Sequence, residues 1–391
     1  MKILTDPKKI NELLTRGVEN IYPNKEFLEK ELKSGRQLSL YVGYDPTAPT
    51  LHIGNGITLL KLQQFQELGH QVIFLVGNFT GMIGDPTDKL AARQQLTPEQ
   101  VKKNSTLYKK QAGVILNFGG SNPALIKFNG DWWVKKSAAD LLNVASHITQ
   151  QRLMERDMFQ ERLAAGKPIY AHELLYPLLQ GYDSVAMDVD GEAGGNDQTF
   201  NMLVGRDLMK QLKHKEKFVL TMKILADDSG VKMGKTEGNM IAFNDTPEDM
   251  FGKVMRWTDG MIKAGFELCT RATVPSDKDI RAEPLKFKKL LAFEITKTFL
   301  GEKAAEKGRD TFSSVIQAHE KPADIPALKP SAYDIVTVLV ESKMCLSKSE
   351  ARRAIEQSGV KLNDQTVSSI ETKMKKGDVV QKGKRFFVKI K

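Results

Sequence analysis

Apolar and polar residues alternate along the first third of the chain in a pattern that switches between strand and helix periods. QLSLYVG (37–43), QVIFLVG (71–77) and ALIKFNG (124–130) have the length and apolar content of buried strands. Between the first two, residues 53–69 place apolar side chains at helical spacing and end on a glycine. Short buried strands joined by helices predict an α/β domain with a doubly wound, parallel sheet.

The middle of the chain is predicted to be mainly helical. Residues 137–215 have helical character interrupted at SVAMDVD and GEAGGNDQ, and KFVLTM (217–222) is a later strand. Thr97 and Thr246 each precede a proline that suits the first helical position, so helices are expected to begin there. Helical character continues over 285–318, and three prolines within 319–334 indicate a linker.

Residues 331–391 form a basic tail with both helical and strand patterns. A helix near 332–342 precedes a second one, for which Ser347 and Glu350 are the expected capping box and Gly359 the stop. VKLN, DVVQKG and RFFVKI then have the length of short strands. The chain has a net charge of +10, and this tail, with 13 basic and 7 acidic residues, carries +6. A basic module favours a polyanionic partner, although a solvated dimerisation or scaffold module can have the same composition.

Composition excludes several classes of protein. A chain of 391 residues exceeds one ordinary domain, so two or three are expected. No apolar run reaches the length of a membrane span, and the N-terminus, which carries acidic residues and has no apolar segment, argues against a secretory signal or a transit peptide. Cys269 and Cys345 lie far apart and indicate neither a disulfide framework nor a metal cluster. We therefore expect a cytoplasmic protein with no membrane association and no dedicated metal site.

His52-Ile53-Gly54-Asn55 stands at the opening of the helix predicted over 53–69. Free N–H groups and a partial positive charge make a helix N-terminus attractive to phosphate, and Gly54 would let a ligand approach the backbone. His52 could donate to a phosphate oxygen during displacement at an α-phosphorus. Taken alone, the motif is more often a surface histidine beside a helix cap.

Lys232-Met233-Gly234-Lys235-Thr236 follows the strand predicted over 217–222 and lies in a segment rich in small residues. Such a loop can close over a ligand, so that two ammonium groups meet the β- and γ-phosphates in the transition state. The glycine spacing before Lys235 is one residue short of a P-loop, which argues against that interpretation. The alternative is a basic turn without a ligand.

Together the two motifs resemble the nucleotide-binding signatures of class I aminoacyl-tRNA synthetases. Longer stretches are similar to the bacterial tyrosyl-tRNA synthetases: YVGYDPTAPTLHIGN (41–55), FLVGNFTGMIGDPTDKLAAR (74–93) and YAHELLYPLLQGYDSVAMDVDGEAGGNDQTFN (170–201). The tail resembles an S4-type RNA-binding module, so the likeness covers nearly the whole chain. It implies a Rossmann-like (HUP-type) catalytic domain over 1–222, the lysine loop with an α-helical domain over 223–318, a linker over 319–330 and a small α+β S4-like domain over 331–391.

The resemblance also implies roles for individual residues. Tyr41 and Asp183 match the pair that binds the substrate phenol, Asp85, Tyr176 and Gln180 match the set that holds the α-amino group, and Thr80 and Gln198 belong to the same pocket. The ATP side is matched by Gly43, Asp45, Thr47, His52, Gly54, Asn55, Gly195, Asp197, Lys232, Met233 and Lys235. Lys89 and Arg93 match a basic segment near the pyrophosphate, and Thr236 completes the closing loop. The expected tRNA-binding residues are Lys348, Arg352, Arg353, Lys361, Lys384 and Arg385.

Two physical arguments support this site independently. Tyr176, Gln180 and Asp183 are spaced i, i+4, i+7, so one helical face would carry all three. A pocket that offers buried polar groups to a hydroxyl leaves them unpaired when phenylalanine enters; a discrimination of about 10⁵ is a known property of this enzyme family itself. The chain departs from the family at Asn55, where His is usual, and at Gly234 and Thr236, where Ser is common; these changes bear on rate more than on reaction.

The expected activity is that of a tyrosine–tRNA ligase, which forms tyrosyl-adenylate and pyrophosphate from L-tyrosine and ATP and then charges tRNA(Tyr). Mg²⁺ is expected to arrive with ATP. A homodimer is implied, with residues 115–165 near its interface. Two alternatives remain open from the sequence: a tryptophan-specific sister enzyme, and a non-catalytic RNA-binding protein on a decayed synthetase core.

Overall fold

A six-stranded sheet forms the centre of the part of the chain that the computed structural model describes, which is residues 2–86, 96–230, 232–233, 240–317, 325–383 and 386–391. Its strands are β1 (Val18–Tyr22), β2 (Ser39–Tyr44), β3 (Gln71–Val76), β4 (Leu125–Phe128), β5 (Gly191–Gly195) and β6 (Phe218–Met222). They lie in the order β1-β6-β5-β2-β3-β4. The predicted strands near 37–43, 71–77, 124–130 and 217–222 are therefore confirmed.

The sheet is parallel except for β1, which pairs with β6 in the antiparallel direction. The predicted parallel sheet is confirmed for β2 to β6; β1 was not among the predicted strands, because VENIY (18–22) is half exposed at the sheet edge and lacks the apolar run of a buried strand. The glycine-rich β5 was also expected to be a break. A Cβ on Gly191 would lie 2.1 Å from the ring of Phe218, so glycine is what lets β5 and β6 pack here.

Helices cover the sheet and continue the chain beyond it. Those among the strands are α1 (Pro7–Thr15), α2 (Lys25–Lys33), α3 (Ile53–Glu67), α4 (Thr80–Ile83), α5 (Pro98–Ser105), α6 (Tyr108–Ala112), α7 (Gly130–Trp133), α8 (Ala138–Ala145), α9 (Gln150–Met154), α10 (Asp157–Ala164), α11 (Ala171–Met187) and α12 (Thr199–Lys213). After β6 come α13 (Pro247–Met255), α14 (Met261–Cys269), α15 (Asp277–Ala282), α16 (Pro284–Leu300), α17 (Glu302–Thr311) and a π-helical turn (Phe312–Gln317). None of the helices in the described ranges is long and apolar enough to span a membrane.

Local sequence signals place most of these helices correctly. The Thr97 and Thr246 side chains accept hydrogen bonds from the N–H groups of Gln100 and Asp249, as capping residues do. The predicted interruption at SVAMDVD (184–190) is confirmed, although it comes late in that segment: α11 runs on to Met187 and ends where Asp188 adopts a left-handed conformation. Before that point α11 is packed along α12.

The last residues form a second sheet with its own apolar core. Its elements are β7 (Ala327–Leu328), α18 (Ile335–Glu341), α19 (Lys348–Glu356), β8 (Val360–Leu362), β9 (Gln365–Thr366), β10 (Val379–Lys382) and β11 (Phe386–Ile390), with the strand order β7-β11-β10-β8-β9. The α+β pattern predicted for the tail is confirmed.

Three details of the tail differ from expectation. The end of the predicted 319–330 linker is β7, which pairs with β11 because its apolar residues complete that sheet edge. The capping box at α19 is only half formed: Ser347 caps the Glu350 N–H, but the Glu350 carboxylate accepts from the Leu346 N–H and from Lys382. The left-handed turn after α19 is made by Ser358 instead of Gly359.

Candidate active site

A cavity of about 440 Å³ opens at the carboxyl ends of the parallel strands. The strand order reverses between β2 and β5, since the chain proceeds from β2 to β3 on one side and from β5 to β6 on the other. Ligands of open α/β sheets bind in the crevice at such a switch point. A larger but open groove along α16 is lined by lysines, glutamates and exposed leucines. The sheet-edge cavity is the better candidate because buried polar side chains converge on it.

The structure brings together in this cavity every described residue that the sequence assigned to the amino acid or to ATP. Its lining includes Tyr41, Gly43, Asp45, Thr47, His52, Gly54, Asn55, Thr80, Asp85, Tyr176, Gln180, Asp183, Gly195, Asp197, Gln198, Lys232 and Met233. Lys89, Arg93, Gly234, Lys235 and Thr236 lie outside the described residues. The roles of all these residues stay predictions.

Asp183 stands at the deep end of the cavity and is almost fully buried. One carboxylate oxygen accepts from the indole N–H groups of Trp132 and Trp133 at 2.9 and 3.1 Å, and the other accepts from the Asn129 amide at 3.2 Å. Burial raises the pKa of Asp183 to about 8, and the three N–H donors oppose that shift. The three N–H donors favour the ionised form, and a carboxylate offers about four acceptor positions, so the ionised Asp183 can accept one more donor from the cavity.

Tyr41 faces the same end of the cavity from β2. Its hydroxyl lies 3.0 Å from the Ser184 Oγ and 3.5 Å from the Gln180 carbonyl oxygen. Burial, with the carboxylates of Glu192 and Asp183 nearby, raises the pKa of Tyr41 well above its ordinary value. The phenol is therefore neutral at physiological pH and can both donate and accept a hydrogen bond.

A second cluster of polar groups lies toward the mouth. The Tyr176 hydroxyl donates to Asp45 at 2.7 Å, and the Thr80 hydroxyl donates to the other Asp45 oxygen at 2.6 Å. Asp85 accepts from the Gln198 amide at 2.8 Å. The guanidinium of Arg156 also lies 3.7 Å from Asp85 and is buried.

A buried ion pair that sequence reasoning missed joins Glu192, in the cavity wall, to Lys217 behind it. The Lys217 ammonium, at the start of β6, contacts the carboxylate of Glu192 on β5, and both side chains are inaccessible to solvent. Burial lowers the pKa of Lys217, and the Glu192 charge opposes that shift. Lys217 follows the run HKE and carries no local sign of burial. A glutamate among glycines at 191–195 was the better signal, because a charge on a buried strand needs a partner.

His52 is the N-cap of α3. Its Nδ1 accepts from the Gly54 N–H at 3.1 Å, and its own backbone N–H donates to the Asn55 Oδ1 at 3.0 Å. A Cβ on Gly54 would lie 2.8 Å from the imidazole ring, so the glycine is required by His52 itself and not only by a ligand. Because Nδ1 is the acceptor, the neutral ring carries its proton on Nε2.

Lys232 pairs with Asp197 across the mouth of the cavity and leaves half of its side chain exposed. Met233 is buried beside it, and its N–H donates to the Leu225 carbonyl oxygen at 2.9 Å. The lysine predicted to bind phosphate and the carboxylate predicted to bind ribose thus satisfy each other. In the residues described, no group of three or more His, Cys, Asp and Glu is arranged to hold a metal ion.

The basic residues predicted for tRNA binding are exposed on the C-terminal module. Lys348, Arg352 and Arg353 lie on α19, and Lys361 lies on β8. Lys382, on β10, donates to Glu350 and to the Met344 carbonyl oxygen, so that lysine is committed to the module itself. Lys384 and Arg385 lie outside the described residues.

Comparison with known proteins finds relatives along nearly the full chain. A family model described as tRNA synthetases class I (W and Y) matches residues 33–317, and an S4 domain model matches residues 335–380. The chain is 40% identical to a tyrosine–tRNA ligase of Geobacter metallireducens over 97% of each chain. It is 39% identical to that of Haemophilus influenzae, over 99% of this chain and 98% of the relative. The resemblance drawn from the sequence is therefore confirmed.

Solved structures show the same fold. The mitochondrial tyrosyl-tRNA synthetase of Aspergillus nidulans, C-terminally truncated, has a TM-score of 0.66 at 20% identity, covering 78% of this chain and 92% of that one. The Archaeoglobus fulgidus tyrosyl-tRNA synthetase, complexed with L-tyrosine, has a TM-score of 0.59 at 21% identity, covering 77% and 99%. The α/β fold class and the C-terminal S4 module predicted from the sequence are confirmed.

Asp45→Asn should flatten the fall in the free energy of unfolding between about pH 4 and about pH 7. Burial raises the folded-state pKa of Asp45 to about 7, whereas an unfolded aspartate ionises near about 3.9. The folded protein keeps a proton that the unfolded chain has lost, so the free energy of unfolding falls as pH rises through this window. The contribution is at most about 4 kcal/mol. Urea midpoints of both proteins measure the slope, and equal slopes would contradict the assignment.

Proposed function

The chain belongs to the class I tRNA synthetases of the tryptophan and tyrosine group, and we propose that within this group it is a tyrosine–tRNA ligase. Its substrates are L-tyrosine, ATP with Mg²⁺, and tRNA(Tyr). The observation that carries the proposal is the deep end of the cavity, where Asp183 and Tyr41 face the same space. One is an acceptor held by three N–H donors, and the other is a neutral phenol. A para-hydroxyl group complements both.

The amino-acid end fits the same orientation. An α-ammonium needs acceptors, and the carboxylates of Asp85 and Asp45 lie toward the mouth, with Tyr176 and Gln198 hydrogen-bonded to them. A tyrosine with its phenol at Asp183 would place its ammonium near these groups. Its carboxylate then faces the start of α3, where the nucleotide is expected.

The first reaction is attack of the tyrosine carboxylate on the α-phosphorus of ATP, which forms the adenylate and releases pyrophosphate. No covalent nucleophile is needed, so the protein's task is to position groups and to stabilise developing charge. The His52 Nε2–H is a donor suited to a phosphate oxygen at the N-terminus of α3, where the Ile53 and Gly54 N–H groups already donate to the Ile241 carbonyl oxygen and to the His52 Nδ1. Binding of ATP would draw Lys232 from Asp197, leaving the ammonium for phosphate and the carboxylate for ribose. Lys89, Arg93, Lys235 and Thr236 are proposed to assist at the pyrophosphate.

The second reaction transfers the acyl group to the terminal ribose of tRNA, which the basic face of the C-terminal module would help to hold. Its exposed Lys348, Arg352 and Arg353 share one helix, and Lys361 lies on a neighbouring strand. Recognition by such a surface rests on phosphate contacts and shape, and is therefore weakened by salt.

Pyrophosphate exchange with each of the twenty amino acids tests the activity and its specificity. We expect exchange with tyrosine, and Asp183→Ala should lower kcat/KM for tyrosine by at least about 100-fold because a buried acceptor is lost. The KM for ATP should change much less. Asp259→Ala, which removes an exposed carboxylate paired with Lys288, is the matched control. Exchange with tryptophan alone would favour the sister enzyme, and exchange with no amino acid would favour a non-catalytic protein.

Arg352→Glu combined with Arg353→Glu should separate the two reactions. Tyrosine-dependent exchange should stay at the wild-type rate, while the KM for tRNA in aminoacylation rises by roughly tenfold or more and depends less steeply on salt. Lys278→Glu with Arg281→Glu, on the exposed face of α15, supplies the same charge change elsewhere. A truncation for the same purpose should remove residues from 325 onward, since β7 belongs to the C-terminal sheet. Equal loss of both activities would contradict an RNA-binding role.

We also propose a homodimer built on the segment that includes residues 115–165. Val134 and Leu142 each leave 70% of their surface exposed there, and Leu125 and Leu163 are exposed as well. Apolar side chains gathered in one segment are typical of a contact surface. The nearby β4 is also an edge strand of the central sheet.

Val134→Lys combined with Leu142→Lys should convert the dimer to a monomer of 43.7 kDa, because two charges would be buried in the interface. Light scattering after gel filtration measures the mass. Leu346→Lys changes a leucine that is 92% exposed in the C-terminal module, and should leave the mass at twice the monomer value. A wild-type protein that is already monomeric would refute the dimer.

A further inference from the structure

Lys217 touches the phenol end of the cavity from behind, although it does not line the cavity. It precedes β6 directly and is fully buried. Its ammonium donates to the Ser184 Oγ at 2.7 Å, contacts the Glu192 carboxylate, and lies 5.8 Å from the centre of the Tyr41 ring. Two hydrogen bonds, through Ser184, connect this buried lysine to the Tyr41 hydroxyl that is proposed to bind the substrate.

Glu192 is fixed on both oxygens. One carboxylate oxygen accepts from Lys217, and the other accepts from the Gln180 amide at 3.0 Å. Glu192 is also the register partner of Tyr41 in the adjacent strand. Because Lys217 neutralises this carboxylate and occupies it, Glu192 competes less for the Tyr41 proton than an unpaired anion would.

The ammonium fixes the direction of the first hydrogen bond in this chain of groups. An ammonium can only donate, so Ser184 accepts from Lys217, and its own proton can be given to the Tyr41 oxygen, 3.0 Å away. The protein acceptors within reach of the Tyr41 proton are the Gln180 carbonyl oxygen, at 3.5 Å, and the Glu192 carboxylate. Because Glu192 is neutralised by Lys217 and already accepts from Lys217 and Gln180, a ligand in the cavity can compete for that proton.

We propose that Lys217 is a positioning residue that orients this relay, from Lys217 through Ser184 to Tyr41, so that Tyr41 donates into the cavity. Asp183 accepts at the opposite side, so the ligand must accept from one wall and donate to the other. A para-hydroxyl does both with one atom, whereas a para-amino group donates well and accepts poorly, and a bare ring does neither. The proposal rests on the function proposed above and names what sets its specificity.

Lys217→Met combined with Glu192→Met tests the relay while leaving no unpaired buried charge; both methionines match the unbranched chains that they replace. Without the ammonium, Ser184 can accept from Tyr41, and Tyr41 can then accept from the ligand. The kcat/KM ratio of tyrosine to 4-aminophenylalanine in pyrophosphate exchange should fall by roughly tenfold, the worth of one hydrogen bond. The ratio of tyrosine to phenylalanine should fall as well.

Lys61→Met is the matched control, because Lys61 is also buried and donates to the carbonyl oxygens of Leu13 and Arg16, away from the cavity. It should lower stability and leave both ratios unchanged. If the double variant does not fold, Ser184→Ala interrupts the same relay in a helix that tolerates alanine. The kcat/KM ratio of tyrosine to 4-aminophenylalanine should also fall in the Ser184→Ala variant.

The outcomes separate the two proposals. A wild-type protein without tyrosine-dependent exchange would overturn the proposed function. A wild-type protein that is active, with variants that lose rate but keep both ratios, would overturn the relay and leave the function standing. A fall in the kcat/KM ratios in the relay variants, with no fall in Lys61→Met, supports the relay.

Discussion

Pairing of buried polar groups at the carboxyl edge of the sheet is the constraint on which this structure depends. Asp183, Glu192 and Lys217 are removed from water and Asp45 is partly buried, and each has at least one charged or hydrogen-bonding partner. Leaving any of them alone would cost several kcal/mol. The strands and helices that supply the partners are consequently held in one arrangement, and that arrangement is the cavity.

The same constraint has a limit: the protein supplies only some of the hydrogen-bond and charge partners that the polar groups of the cavity need. Burial raises the pKa values of Asp45 and Asp183 to about 7 and about 8, so neither carboxylate is fully stabilised by its protein partners. A ligand with a phenol at one end and an ammonium at the other supplies what is missing at both. Binding energy and specificity then come from the same groups, at some cost in the stability of the protein by itself.

Much of the fold could be predicted because its signals are local. Buried strands such as β3 are continuous apolar runs, and helices such as α5 begin at a threonine followed by proline. The failures were also physical: β1 is too polar to stand out, and β5 is built of glycines because Phe218 occupies the space beside Gly191. Neither fact is visible until the neighbouring strand is in place.

The residues of the candidate site also fall into those that the sequence predicts and those that it misses. The predicted residues that line the cavity are those whose types carry chemistry, such as Asp183 and Tyr176, and a helical spacing places them on one face. The residues that were missed act through other side chains: Trp132 and Trp133 donate to Asp183, and Lys217 donates to Ser184. Their identities as hydrogen-bond donors matter only once folding has removed the water, so a pattern along the chain cannot reveal them. A charged residue in a strand that is expected to be buried, here Glu192, is the one feature of the sequence that indicates such a partner before the structure is known.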